Sequence, residues 1–273
     1  TAGTDTYTVT IPYTGAGNGT YTITPNLGTV GGDNPTTTAN GNITVSGVTE
    51  GVAFSATVTG VTCNFTVTAT SPECDPVNAL PFSEGFNYAN GAGLGASPYW
   101  TAINSGDEIT AVTGNLNYTG VTSTGNSIAF AGVGLDYFSP FTPTTSGTVY
   151  TSFLVNITDI ATMTATVPET YFAGIGDAAK NYKARVFVKK TDTQYQLGLD
   201  AASTTTNYDA TLRNVGDVVL VVVGYDFGTN EIKAWFNPTV ATFTAATPAN
   251  LTSVPATAIT ELGGFLLRQD ATI

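Results

Sequence analysis

Val218-Val-Leu-Val-Val-Val-Gly-Tyr225, then Asp226-Phe-Gly-Thr-Asn230, then Ile232-Lys-Ala-Trp-Phe236, is the stretch whose reading decides the fold. The first run is apolar, rich in β-branched Val and too short for a buried helix, which needs roughly 10–12 residues. The middle run carries the Asp, Gly and Asn of a tight connection. The third alternates. Together they read as a buried strand, a hairpin loop and a second strand.

Working outward, Thr148-Val-Tyr-Thr-Ser-Phe-Leu-Val155 reads as another central strand of a packed sheet, flanked by Ala184–Val188, Tyr195–Leu199 and Ile232–Phe236. Helical periodicity is weak throughout, and Ala173–Lys180 has room for one turn at most. Earlier in the chain, Tyr7, Val9 and Ile11 alternate with threonines, as do Tyr21 and Ile23, across the loop Gly15–Gly19. Ile43/Val45, Phe54/Ala56/Val58 and Cys63/Phe65/Val67 repeat the pattern. The expected fold class is therefore all-β: a small immunoglobulin-like sandwich over residues 1–75, a Pro-rich linker, and a larger jelly-roll sandwich over 76–273.

Composition agrees with this reading. Only 10% of the 273 residues are charged, and Thr runs through every segment. All eight basic residues lie after position 179; residues 1–179 hold twelve acids and no base. Nucleic-acid binding, which is mostly phosphate neutralisation, is excluded on that ground, and anionic membrane surfaces are disfavoured. The longest apolar run, Val218–Val223, falls far short of the ~18 residues of a membrane span.

A resemblance enters with the order of several motifs: Leu80-Pro-Phe-Ser-Glu-Gly-Phe86, Gly114-Asn-Leu-Asn-Tyr118, Ser146–Phe153, Val221–Phe227, Ala234-Trp-Phe-Asn-Pro238 and Phe265-Leu-Leu-Arg-Gln-Asp270. Over about 80–273 the chain resembles the laminin-G/concanavalin-A-like jelly rolls of large secreted bacterial surface proteins. Residues 1–75 resemble a generic bacterial immunoglobulin-like module. The resemblance implies a non-catalytic, surface-exposed sandwich, often found beside adhesive or sugar-binding domains.

The chemistry-bearing residues are few. The chain has no His, hence no usual general base and no commonest zinc ligand. Glycoside hydrolysis needs two carboxylates on one face, and adjacent Asp107-Glu108 would point to opposite faces of a strand. No cofactor is expected unless calcium binds the loop acids Asp136, Asp177, Asp217 and Asp226. A sugar platform would draw on Trp235, Trp100 and Tyr99; Trp235 points either into a second layer or onto an open face.

These features lead to an extracellular or cell-surface protein, structural or adhesive, whose partners are its own copies or other surface proteins. It would be a fibre subunit if a strand such as the one carrying Tyr7, Val9 and Ile11 were donated to the open sheet edge of the next molecule. A carbohydrate-binding module is the alternative. No direct membrane insertion is expected.

Cys63 and Cys74, eleven positions apart in a chain of extracellular character, are expected to form one disulfide. Closing so short a loop stabilises by roughly 3 kcal/mol on the chain-entropy model. Mass spectrometry of unreduced peptides should find the two linked; two freely alkylated thiols in the native protein would refute the bridge.

Overall fold

The computed structural model describes residues 6–60, 64–71, 76–130, 132–166, 169–202 and 205–270. Cys63 and Cys74 lie outside them. The chain divides into two compact units, Thr1–Pro76 and Val77–Ile273. Both are antiparallel β-sandwiches, with no α-helix among the described residues. No helix there is long and apolar enough to cross a membrane.

In the first unit, β1 (Thr6–Tyr13), β2 (Thr22–Pro25), β3 (Thr29–Gly32), β4 (Gly41–Thr49), β5 (Phe54–Thr59) and β6 (Asn64–Ala69) form two sheets, ordered β1-β4-β3 and β2-β5-β6. Their inner faces meet through Ile11, Ile43, Val45 and Val48 from one sheet and Phe54 and Ala56 from the other. The strand after the Gly15–Gly19 loop does not pair back onto β1: β2 joins β5 in the opposite sheet. The loop itself explains the crossing. Its amides at Ala16 and Gly17 donate to Ala39 and Pro35 carbonyls instead of closing a hairpin. Alternation shows which side of a strand is buried, not which neighbour it has.

The second unit holds β7 (Thr101–Ala102), β8 (Thr110–Val112), β9 (Ser127–Ala129), β10 (Tyr137–Thr144), β11 (Thr148–Asn156), β12 (Glu169–Gly176) and β13 (Tyr182–Thr191). It continues with β14 (Gln194–Asp200), β15 (Asn207–Tyr208), β16 (Arg213–Asn214), β17 (Val218–Asp226), β18 (Glu231–Phe236), β19 (Leu251–Ser253) and β20 (Leu262–Leu267). The larger sheet runs β15-β14-β13-β12-β20-β10-β7, with β16 also on β14; the smaller runs β11-β17-β18-β19. Val219, Val221, Val223 and Tyr225 of β17 share one core with Phe172, Ile175, Val186, Val188, Leu197 and Leu199 of the facing sheet.

Three expectations change here. Val218–Tyr225 is an interior strand, but Thr148–Val155 lies at a sheet edge, paired on one side only. Ala184–Val188 and Tyr195–Leu199 belong to the opposite sheet. Ala173–Gly176 is strand, and the helical turn is replaced by a tight turn closed from Lys180 N–H to the Asp177 carbonyl, 3.0 Å.

The motifs behind the resemblance perform structural tasks. Buried Gln269 donates its side-chain amide to the carbonyls of Asp107 (2.7 Å) and Leu135 (3.3 Å), while Asp136 accepts its backbone N–H (2.9 Å). Glu84 accepts from the Tyr88 hydroxyl (2.6 Å), Trp100 Nε1 (3.2 Å) and the Phe86 amide (2.7 Å). Burial, and then that hydrogen bond, pushes the Tyr88 hydroxyl up to about 12. At Gly264 an added Cβ would come 2.1 Å from the Phe138 ring, so the ring lies directly on the strand backbone.

Arg213 and Asp209 form a buried ion pair, with the guanidinium also over the Phe236 ring at 5.2 Å. Removing one charge leaves the other buried and uncompensated. Arg213→Ala should therefore cost about 3–5 kcal/mol. Both tryptophans lie in the second unit, so urea unfolding followed by tryptophan fluorescence reports on it; a loss below about 1 kcal/mol would contradict the uncompensated-charge argument.

Candidate functional site

The tryptophans are not a platform. Trp235 is 2% exposed, donates Nε1 to the Thr247 carbonyl (2.8 Å) and meets Phe243 edge-on at 5.3 Å. With Leu220 and Val222 it forms a second core on the outer side of the smaller sheet, covered by Tyr118, Val240 and Phe243. Trp100 is 5% exposed, stacked on Phe86 at 6.1 Å and tied to Glu84. Tyr99 alone of the three reaches the surface, 44% exposed. A sugar needs an open ring face, and both indoles spend theirs on packing.

The loop acids are also occupied, Asp177, Asp217 and Asp226 by groups of their own turns and Asp136 by the distant Gln269 amide. Asp226 accepts from the Gly228 (2.7 Å) and Thr229 (3.2 Å) amides, and Asp217 from the Asn214 amide (2.8 Å). Asp177 pairs with Lys183 at 2.9 Å and accepts from Asn181. Burial raises its carboxyl, but hydrogen bonds from Lys183 and Asn181 outweigh that and hold it below the usual range. Burial raises the Asp136 carboxyl, against the Gln269 N–H it accepts. The four do not converge: among the described residues no group of three acids is placed to hold a metal ion.

Tyr7, Val9 and Ile11 sit in β1, in register with Val48, Val45 and Ile43 of β4. Ile11 is buried in the core of the first unit. Releasing this segment as a donor strand would cost both the ladder and that contact.

Two surfaces were not singled out by sequence reasoning. One is the outward face of the larger sheet, where Tyr171 of β12 lies between Arg268 (4.2 Å to its ring centre) and Arg185 (4.8 Å), with Phe187 at 5.5 Å and Tyr182 at 5.1 Å. Lys189 lies 4.7 Å over the Tyr208 ring. Arg185 is held by Asp200, Nε to Oδ1 at 2.9 Å, and Arg268 by Asp270. The alternation Arg185-x-Phe187-x-Lys189 was visible in the sequence; the register Tyr171↔Phe187 that completes the face was not.

The other is a sheet edge. Most of the molecule's edges are short or blunted in the ways that prevent strand addition. β7, β15 and β16 have two residues each and β19 three. β2 and β3 have four, with Pro25 in one and Gly31-Gly32 in the other, and β1 carries a bulge at Tyr7/Val9 as well as Pro12. β6 has six residues without Pro or charge. Among the described residues β11 is the longest such edge. It pairs with β17 over nine consecutive residues without a register shift, and Thr148-Val-Tyr-Thr-Ser-Phe-Leu-Val-Asn156 holds no charge, Pro or Gly. Among the described residues nothing hydrogen-bonds its other side.

Comparison with protein-family models, with curated proteins and with solved structures gives no match.

Trp235→Ala should lower stability by about 3–5 kcal/mol, as expected of a large buried aromatic. The remaining Trp100 reports the transition. A stable Trp235→Ala protein that had lost affinity for a glycan would restore the platform reading.

Proposed function

We propose that this chain is a non-catalytic structural or adhesive protein of the extracellular or cell-surface space that assembles with its own copies through open β-strand edges. The observation that carries this reading is β11, a nine-residue edge without the charges, prolines or bulges that keep edges apart. A protein selected to stay monomeric blunts such an edge; one that assembles uses it. The low charge, the absence of His and the resemblance of residues 80–273 to surface-protein jelly rolls support the same reading.

A second reading, a carbohydrate-binding module, is favoured by the Arg185–Tyr171–Arg268 face. Aromatic rings beside hydrogen-bonding guanidinium groups suit a sugar ring. Each guanidinium is already engaged by its own aspartate, which makes this the weaker of the two.

Light scattering across a concentration series, with electron microscopy of the same samples, tests the choice. Concentration-dependent association is expected. A chain that stays monomeric to near-millimolar concentration and binds a defined glycan on an array would overturn the assembly reading in favour of the second.

A further inference from the structure

The partner that best fits the free side of β11 is a second β11. We infer that two copies of this chain pair antiparallel through Thr148–Asn156 about a two-fold axis at Ser152, joining their β11-β17-β18-β19 sheets into one; this rests on the self-assembly reading above.

The edge is prepared to receive a strand. On β17 the inward side chains Val219, Val221, Val223 and Tyr225 are fully buried. On β11 the inward-facing Thr151, Phe153 and Val155 keep part of their surface in water. The core is therefore sealed along β17 and unsealed along β11. A strand laid beside β11 covers these flanks and pairs the backbone groups that point away from β17.

Geometry then restricts the occupant. A two-fold axis perpendicular to the sheet keeps inner face beside inner face, so residues directly opposite each other must share a face. Centring on Ser152 meets that condition and uses all nine residues. It sets Val149 opposite Val155 and Thr151 opposite Phe153 on the core side. On the outer side it sets Tyr150 opposite Leu154, Ser152 opposite itself and Thr148 opposite Asn156. Aromatic and β-branched side chains directly opposite one another are the favourable cross-strand pairs. Sliding by one residue would put core-facing groups against outward ones, and sliding by two leaves ends unpaired.

Charge at the contact itself does not oppose this occupant: the chain carries −12, but β11 has no charged residue. The segment around Tyr7, Val9 and Ile11 is a poorer occupant, because it is already laddered to β4 and buries Ile11.

The test uses the full chain. Ser152 is exposed on the outward face, so substitutions there leave the core intact. Ser152→Cys should oxidise to a covalent dimer, because directly opposite Cβ atoms lie about 4.5–5.5 Å apart, close to disulfide reach. Tyr150→Cys should not, since its copy is displaced by four residues, roughly 13 Å. Chymotryptic peptide mapping separates the new linkage from Cys63 and Cys74. Ser152→Lys sets two ammonium groups opposite each other and should weaken the dimer about tenfold or more, with the fluorescence-monitored unfolding of the second unit unchanged.

Equal cross-linking from Ser152→Cys and Tyr150→Cys would overturn the register. Association that Ser152→Lys leaves untouched would overturn β11 as the interface while leaving the assembly reading standing. A wild-type chain that is monomeric throughout, with no cross-link from Ser152→Cys, would overturn both. Should Ser152→Lys fail to fold, the cysteine pair still decides.

Discussion

The burial of β17 on both of its faces is the constraint on which the second unit depends. Val219, Val221 and Val223 face the larger sheet, while Leu220 and Val222 face the other way and are themselves only 7% exposed. A strand apolar on both sides has to be interior and covered twice. The first cover is the facing sheet. The second is assembled from Trp235 on β18 and from Tyr118, Val240 and Phe243, which is why the indole that looked available for a ligand is consumed in packing. The β17–β18 hairpin makes this possible by placing Trp235 directly opposite Val222.

The same strand has unequal neighbours. On the β18 side, the chain goes on to seal what it begins: Asn250 donates its amide to the Ala234 carbonyl and accepts the Phe236 amide through its side chain, and β19 adds three paired residues. On the β11 side, pairing continues for nine residues and then stops. Edges of isolated sandwiches are normally shortened, charged or bulged, and the larger sheet follows that rule at both ends with two-residue strands. The smaller sheet follows it at β19 only. Such an asymmetry within one sheet is hard to attribute to loose selection on edges generally, since the chain blunts its other long edge, β1, with both a bulge and a proline.

Strand identity and the hairpin at 226–230 could be read from the sequence because alternation and turn chemistry are local. Sheet membership could not. Thr148–Val155 and Val218–Tyr225 are both rich in β-branched and apolar residues, and nothing local tells a strand with two neighbours from a strand with one. The difference arises from pairings about seventy residues apart, such as Phe153↔Val221. The same limit left Trp235 open between a second layer and an open face: alternation set it on the face opposite Ile232 and Ala234, but the layer covering that face comes from loops around Tyr118 and Val240, which carry no periodic signal. Loop acids were ambiguous for a related reason. Asp226 and Asp217 are placed by their own turns, and an aspartate that caps amides in a turn looks, in sequence, like one awaiting a cation.

A two-fold pairing through β11 closes on itself, because an isologous contact uses the same patch on both molecules. It makes a dimer and cannot by itself make a fibre. Extension needs a second contact, and the first unit has an edge of similar character in β6, six residues without Pro or charge and with Phe65 46% exposed. Two different isologous contacts, one in each unit, would build a linear polymer without any donated segment. They would differ in length, nine residues at β11 against six at β6. Both units are acidic, the first with five acids and no base and the second with fifteen acids against eight bases, so like charge opposes bringing two copies together through either edge, although neither edge strand itself carries a charge. Repulsion between exposed charges is screened by salt and weak beyond a Debye length of about 8 Å at physiological ionic strength. On the proposed pairing, salt would ease both contacts alike, and the longer ladder at β11 would form before the shorter one at β6.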